Sequence, residues 1–285
     1  MRGLMVVVVV AACGFDPRTA PLDARVNDPD ANAPGDTPLA PWGSATLLFD
    51  DSRGDHDPTL TGDMLQLYFD DGMDIYTTTR TSTDQPFGSA TLETTLSSTS
   101  LEVTPELSYD GLTVYWSSDK NPSDGDTNIW MSTRGSTTDE WASPTQVMQL
   151  SFDHSNDAAA TPSANGLALV ENYNEGSGHI DISESTRPTT TAPWGPPMRL
   201  ANVNGSADDS NPMLSADQLE LYFDSTRAGG DQLYVAARPS TADTFTSPSP
   251  IDQTGALEGE SAPWISQDSH HLVFEHDGRF YEISR

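Results

Sequence analysis

Short apolar bursts recur along this chain. Leu65-Gln66-Leu67-Tyr68-Phe69, Thr113-Val114-Tyr115-Trp116, Leu167-Ala168-Leu169-Val170, Leu219-Glu220-Leu221-Tyr222-Phe223 and Leu272-Val273-Phe274 are rich in aromatic and β-branched residues and bounded by polar ones. Runs this short and this composed predict strands rather than helices. After a polar loop, a further strand ends on arginine each time: Asp74-Ile75-Tyr76 to Arg80, Asn128-Ile129-Trp130 to Arg134, Asp181-Ile182-Ser183 to Arg187, Leu233-Tyr234 to Arg238, and Phe280-Tyr281 to Arg285. Another strand is predicted to open at Phe87, Trp141, Trp194 and Phe245.

The bursts belong to a repeat whose first strand begins with an acid, two residues and proline. The copies are Asp55 to Pro58, Glu102 to Pro105, Asp209 to Pro212 and Glu260 to Pro263; aligned on Pro162, the third copy (Ala159 to Pro162) lacks the acid. Four short strands per unit of about 50 residues is the spacing of a propeller blade, which cannot bury both faces alone and must stack on neighbours. The chain stops on a third strand, while Trp42-Gly43-Ser44-Ala45-Thr46-Leu47-Leu48 opens the domain as a spare fourth one. Its predicted role is to complete the last blade and remove an open sheet edge. The fold class expected is all-β: a five-bladed propeller of four-stranded blades over residues 41–285, ring-closed by the N-terminal strand.

Composition agrees, with 21 glycines, 21 prolines and 35% hydrophobic residues, a mixture for turns and short strands rather than helical bundles. The 43 acidic against 13 basic side chains give a formal charge of −30, which repels nucleic acid and anionic membrane surfaces. Such a surface suits solubility, or cations, basic proteins and neutral sugars as partners. The single cysteine, Cys13, rules out an intrachain disulfide. It follows a basic start and the apolar run Leu4 to Val10, too short to span a bilayer. Val10-Ala11-Ala12-Cys13 resembles the bacterial lipobox, which implies a signal peptide over 1–12, lipidation of Cys13, and an exported protein anchored in the outer membrane or at the cell surface. Residues 13–40, rich in Asp, Pro and Ala, are expected to form a flexible linker.

Ser108-Tyr109-Asp110-Gly111-Leu112-Thr113-Val114-Tyr115-Trp116-Ser117-Ser118 resembles the WD-repeat-like propeller unit of the TolB type, and the likeness extends over about residues 41–285. The resemblance implies the fold and leaves function open, because TolB-like propellers bind other envelope proteins and related ones serve as gates, scaffolds or enzyme appendages. TolB's preceding α/β domain has no counterpart here. Asn165-Gly166 and Asp268-Ser269 depart from the Asp-Gly turn of the unit.

The repeated acids and arginines are expected to be structural, pairing within or between blades, since catalysis needs an asymmetric set. Trp42, Phe87, Trp141, Trp194 and Phe245 fit packing better than a sugar-stacking ring. Asp124-Gly125-Asp126-Thr127-Asn128 spells the opening of a calcium loop but has Ile129 and Gly135 where such a loop needs Gly and Glu. An acidic turn is the expectation, with Asp124, Asp126 and Asn128 as the candidate calcium ligands and no other cofactor. A loop over Glu171 to His179, with Glu171, Tyr173, Glu175 and His179, is the candidate binding rim. His270, His271 and His276 do not make a zinc set, since neighbours on a strand face opposite ways. No catalytic residue is assigned. The expected function is a non-catalytic, monomeric binding or scaffold module for an envelope protein or glycan, with no nucleic-acid partner. The alternatives are a glycoside-processing enzyme, whose unrepeated acids (Asp124 and Glu175 among them) would converge on the central funnel, and a structural envelope spacer.

Overall fold

The computed structural model describes residues 40–120, 126–151, 157–174, 178–251, 253–254 and 257–285. Its strands make five four-stranded antiparallel sheets and one parallel pair, with no helix among the described residues. Each sheet is a blade, and in blades 1 to 4 the strands run in chain order from the axis outward. Blade 1 is His56–Leu60, Gln66–Asp70, Ile75–Thr79 and Thr91–Leu92; blade 2 is Glu102–Leu107, Thr113–Ser118, Asn128–Thr133 and Thr145–Gln146. Blade 3 is Ala158–Pro162, Ala168–Tyr173, Asp181–Thr186 and Met198–Arg199; blade 4 is Asp209–Leu214, Glu220–Ser225, Gln232–Ala237 and Ser249–Pro250. Blade 5 takes Ser261–Ile265, His271–His276 and Arg279–Ser284 from the C-terminus and Thr46–Phe49 from the N-terminal side. The inner strands touch in cyclic order, blade 5 against blade 1 included.

The ring therefore closes as the sequence predicts, but with a shifted strand. Thr46 pairs with Glu282 and Leu47 with Tyr281, whereas Trp42–Ser44 leaves the blade and runs parallel to Gln253–Thr254. The outer strands are also not opened by the aromatic series. They are two-residue pieces starting four positions later, at Thr91, Thr145, Met198 and Ser249. Such short edges leave little unpaired backbone for another chain to extend.

The aromatic series has a different task. Each ring lies under a repeated arginine: Arg80 on Phe87 at 4.5 Å, Arg134 on Trp141 at 4.2 Å, Arg187 on Trp194 at 4.0 Å, Arg238 on Phe245 at 4.3 Å and Arg285 on Trp42 at 4.2 Å. The same arginines donate Nε–H to the turn between the first two strands, at the carbonyls of Met64, Gly111, Gly166, Gln218 and Ser269. All five turn residues have positive φ, from 59° to 67°, so the departures from Asp-Gly leave the turn geometry unchanged. This corrects the expected pairing. The repeated arginines clasp aromatic rings and turn carbonyls, while the repeated acids lie at the opposite ends of the inner strands.

The third repeat also needs re-registering. Ala158 pairs with Asn172 and Pro162 with Leu169, as His56 pairs with Asp70 and Leu60 with Leu67. Pro162 thus occupies the leucine position, Ala160 stands where the other blades have proline, and Asp157 supplies the acid thought missing. Asp55, Glu102, Asp157, Asp209 and Glu260 are all buried at this end. Glu102 takes the Ser98 amide at 2.8 Å, Glu260 the Leu257 amide at 2.8 Å, and Asp209 both the Gly205 amide and Arg227. Glu102, Asp209 and Glu260 thus cap the loops entering blades 2, 4 and 5.

Candidate functional site at the propeller axis

Every inner strand is bulged at its second or third residue. Asp57, Thr104, Ala159, Asn211 and Ala262 all have φ near +50°, between 48° and 52°, a conformation uncommon away from glycine. In blades 2 to 5 the bulge turns the amide toward the preceding blade. Thr104 N–H donates to Asp70 at 2.9 Å, Asn211 N–H to Asn172 at 2.9 Å, and Ala262 N–H to Asp224 at 3.0 Å. Ala159 N–H instead reaches Thr104 Oγ1 at 3.2 Å, which in turn contacts Ser117 Oγ at 2.8 Å. One layer of the axis is therefore fixed by polar groups belonging to the second strands.

The side chains around this layer differ from blade to blade, and several of them are acidic. Asp57 feels the charges of Asp70 in its own blade, Glu275 in blade 5, Glu106 in blade 2 and Asp224 in blade 4. Blade 4 does not adjoin blade 1, so Asp57 faces the axis. Burial, then these neighbours, pushes Asp57 well above the usual carboxylate range. Asp70 accepts a hydrogen bond from it, and burial lifts Asp70 to about 6 against the opposing pull of the Thr104 and Gly72 amides. Burial also takes Glu106 to about 8, although Thr161 and Thr59 hydrogen-bond it, and Asp224 to about 6. Asp57 and Glu106 keep partial solvent contact, as groups lining a funnel should. His56 bonds Glu275 at 3.2 Å, and that bond raises the imidazole above its ordinary value.

The other end of the axis is shut. Tyr109 reaches across, its hydroxyl 3.0 Å from the Leu214 carbonyl in blade 4 and 3.1 Å from that of Ile265 in blade 5. Gly62 makes room for its backbone, because a Cβ there would stand 2.6 Å from the Tyr109 carbonyl oxygen. Clefts of about 660 and 470 Å³ open on this closed face, lined by Asp217 and Asp268, and by Asp63 and Asp268. These acids already cap their own turns, as in Ser215 Oγ–H to Asp217 at 2.7 Å and Ser266 Oγ–H to Asp268 at 2.6 Å. The acid-lined end instead gathers carboxyls raised by burial with Asn and Thr side chains, which together offer donors and acceptors.

The candidates read from the sequence are scattered by comparison. Cys13, Asp124 and Glu175 lie outside the described residues. Glu171 is not on a loop: it sits mid-strand in blade 3 and is buried. Tyr173 ends that strand, and His179 is half-exposed, 3.9 Å from Asp208. Asn128 opens a strand and accepts the Gln146 amide at 3.0 Å. His271 binds Glu282 at 2.5 Å, His276 lies by Asp277, and His270 turns back on Asp268. Among the described residues no three His, Cys, Asp or Glu side chains converge on a metal position. Asp57 and Glu106 were missed because each sits inside the repeated first strand, where an acid reads as part of the repeat. The signal was available: their counterparts in the other blades are not acids.

No established protein family matches the sequence, and neither does any curated protein. Solved structures do match by fold. A putative TolB from Agrobacterium tumefaciens aligns at TM-score 0.53 and 17% identity, covering 79% of this chain and 70% of that one. The α-L-arabinofuranosidase PaAbf62A from Podospora anserina aligns at TM-score 0.56 and 12% identity, over 86% of this chain and 96% of that one. An α-L-arabinofuranosidase from Lactobacillus brevis aligns at TM-score 0.58 and 13% identity, over 83% and 92%. At these identities the likeness is one of fold alone.

Proposed function

We propose that this chain is an exported, lipid-anchored envelope protein whose propeller recognises a neutral glycan at the open, acid-lined end of its axis, without turning it over. The observation carrying this is the set of unlike polar groups that the axial layer brings together, with Asp57 and Glu106 beside Asp70, Asp224, Asn211 and Thr104. Burial raises both Asp57 and Glu106, Glu106 to about 8, which favours their proton-donating forms beside accepting neighbours, a pattern suited to sugar hydroxyls and unsuited to anions. The envelope placement rests on the Cys13 motif and on the TolB likeness. The test is binding of the full chain to a panel of neutral polysaccharides by calorimetry at pH 7. Asn211→Ala and Asp57→Ala should each weaken binding at least tenfold with the fold intact. Retention of one polysaccharide with unchanged affinity in both variants would remove the axis from the reading.

A second reading, glycoside hydrolysis, is favoured by one feature. A proton-holding Glu106 facing other carboxyls across a funnel is the acid half of an acid–base pair, and the arabinofuranosidases above share the fold. Release of reducing sugar by the wild-type chain, abolished in Glu106→Gln, would replace the recognition reading with this one.

A further inference from the structure

Four junctions between blades are tied at the axis by backbone amides. Thr104, Asn211 and Ala262 N–H donate to Asp70, Asn172 and Asp224 in the second strand of the preceding blade, and Ala159 N–H to Thr104 Oγ1. The fifth junction, blade 5 against blade 1, joins the two ends of the chain. Glu275 there stands in register with Asp70, Asn172 and Asp224. Its carboxylate is reached by a side chain: His56 Nδ1 lies 3.2 Å from Oε2. Ser261 Oγ–H donates to the same oxygen at 3.1 Å and Gly278 N–H to Oε1 at 3.3 Å, so blade 5 orients Glu275 toward blade 1.

The register gives Val103, Ala158, Ser210 and Ser261 at the place of His56, none of them charged. A titratable bond therefore stands at the one junction that repetition does not build. The His56 side chain is 45% exposed, so protons reach it, and it precedes Asp57, which is held at φ 52° with its carboxyl toward the axis. The charges facing His56 are Glu275 from blade 5, Asp70 from the paired strand and Asp55 from its own strand. On the adjoining loop and hairpin, Asp51 pairs with Arg53 and Asp277 with His276.

We propose that His56 and Glu275 form a proton-operated latch across this junction: the imidazolium holds blade 5 to blade 1 at the mouth of the axis, and the neutral ring releases it. That the latch governs affinity at the axial site rests on the recognition reading above; the latch itself does not. The hydrogen bond to Glu275 raises His56 above its ordinary 6.5, against the opposing effect of burial. A raised histidine contributes its full stabilisation below the ordinary value and loses it as pH rises through the folded one. The junction is thus tight in acid and loosens from neutrality upward.

The experiment is native-state hydrogen exchange of the full chain at about pH 5.5 and about pH 7.5, corrected for intrinsic rates. It compares the Asp55 amide, which bonds the Gly278 carbonyl across the junction, with those of Ile129 and Leu221. The rise in pH should lower the relative protection of Asp55 by about three- to tenfold. His56→Gln, which still reaches Glu275 but does not titrate, should remove most of that change. Asp55→Asn, which removes the other group titrating at this junction, should keep at least half of it. In proton NMR the His56 ring should titrate lower in Glu275→Gln than in the wild-type chain. Calorimetry with the neutral polysaccharide panel at both pH values should show a pH dependence of affinity that shrinks in His56→Gln. If no polysaccharide binds, the recognition reading falls and exchange alone decides the latch. Two outcomes overturn the latch: an equal pH change in the wild-type chain and His56→Gln, or a His56 titration unaltered by Glu275→Gln.

Discussion

Arg134→Ala separates the clasp from a decorative surface charge. Arg134 donates Nε–H to the Gly111 carbonyl at 2.7 Å, Nη1–H to Tyr68 Oη at 3.0 Å and Nη2–H to Gln66 Oε1 at 2.8 Å, and it covers the Trp141 ring at 4.2 Å. Two of these bonds cross from blade 2 to blade 1, so the side chain ties a turn, a ring and a neighbouring blade. A hydrogen bond from a charged donor contributes about 1.5–3 kcal/mol, and a partly desolvated cation–π contact about 1–2 kcal/mol. The group is half-exposed and such terms do not add, so a total of about 3 kcal/mol is expected. Arg80 is the internal control. It keeps its turn bond to Met64 at 2.8 Å and a bond to the Thr83 carbonyl at 3.2 Å within its own blade, but its Nη2 has no partner. Blade 5 offers it Val273 and His271 where blade 1 offers Arg134 Tyr68 and Gln66, and Glu282 is taken up by His271. Arg80→Ala should therefore cost less, by about 1–2 kcal/mol. Urea unfolding, with the midpoint and m-value of each variant, measures both. Arg134→Lys, which keeps the charge and loses the fork, should recover less than half. A cost below about 0.5 kcal/mol for Arg134→Ala, the level of an ordinary surface substitution, would refute the clasp. Equal costs for the two alanines would refute the inter-blade share.

Other outcomes follow from the same structure. His271→Gln should stabilise the chain by about 1 kcal/mol in urea unfolding, by giving Arg80 the acceptor that Gln66 gives Arg134. Tyr109→Phe should cost about 1–3 kcal/mol, since the Leu214 and Ile265 carbonyls lose their shared donor at the closed end of the axis; unchanged stability would show that end to be wet. Gly62→Ala should destabilise by about 1–3 kcal/mol, because its Cβ meets backbone that has no room to yield. Glu106→Gln tests the axial protons. A carboxyl raised from 4.5 to about 8 stabilises the fold below its unfolded value, and that contribution is lost as pH rises toward about 8. Glu106→Gln should therefore flatten the fall in stability between those pH values while changing little at the acidic end. A slope identical to wild type in pH-resolved melting would show Glu106 to be ionised.

The blade count, the strand order and the ring closure were legible because they follow from repetition. A position that recurs five times reports a shared backbone need, whichever side chain fills it. Two features misled the reading for physical reasons. Pro162 drew the third repeat two residues out of register, since proline is the most visible mark of the bulge; yet the bulge needs positive φ at Ala159, and Ala160 serves in place of proline. The aromatic positions looked like strand starts, but cation–π stacking holds those rings near the arginines and delays the outer strand by four residues. The axial site was illegible for another reason. Asp57 and Glu106 lie in the same strand pattern as Thr104 and Thr59, and only the closed ring shows that they meet.

The seam between the two ends of the chain extends this argument. Four blades are entered by loops long enough to fold back over the capping acid, such as 93–101 and 200–208, whereas blade 1 is entered by 50–54. Asp55 consequently sits against Asp51, and burial, then the charge of Asp51, raises it to about 7. At the same seam Arg80 has lost its acceptor and Gly278 crowds Gly54, its would-be Cβ 2.8 Å from the Gly54 Cα. Repetition lowers the cost of each internal junction by reusing one solution, and the seam, built from two chain ends, cannot reuse it. Opening should therefore begin between blades 5 and 1. Native-state hydrogen exchange should find the Asp55 and Phe280 amides exchanging at lower free energy than those of Ile129 or Leu221. As pH rises through about 7 the gap should widen, because Asp55 then loses the proton that burial favours. Uniform exchange across all five blades would show that the closing strand welds the ring as firmly as any internal junction.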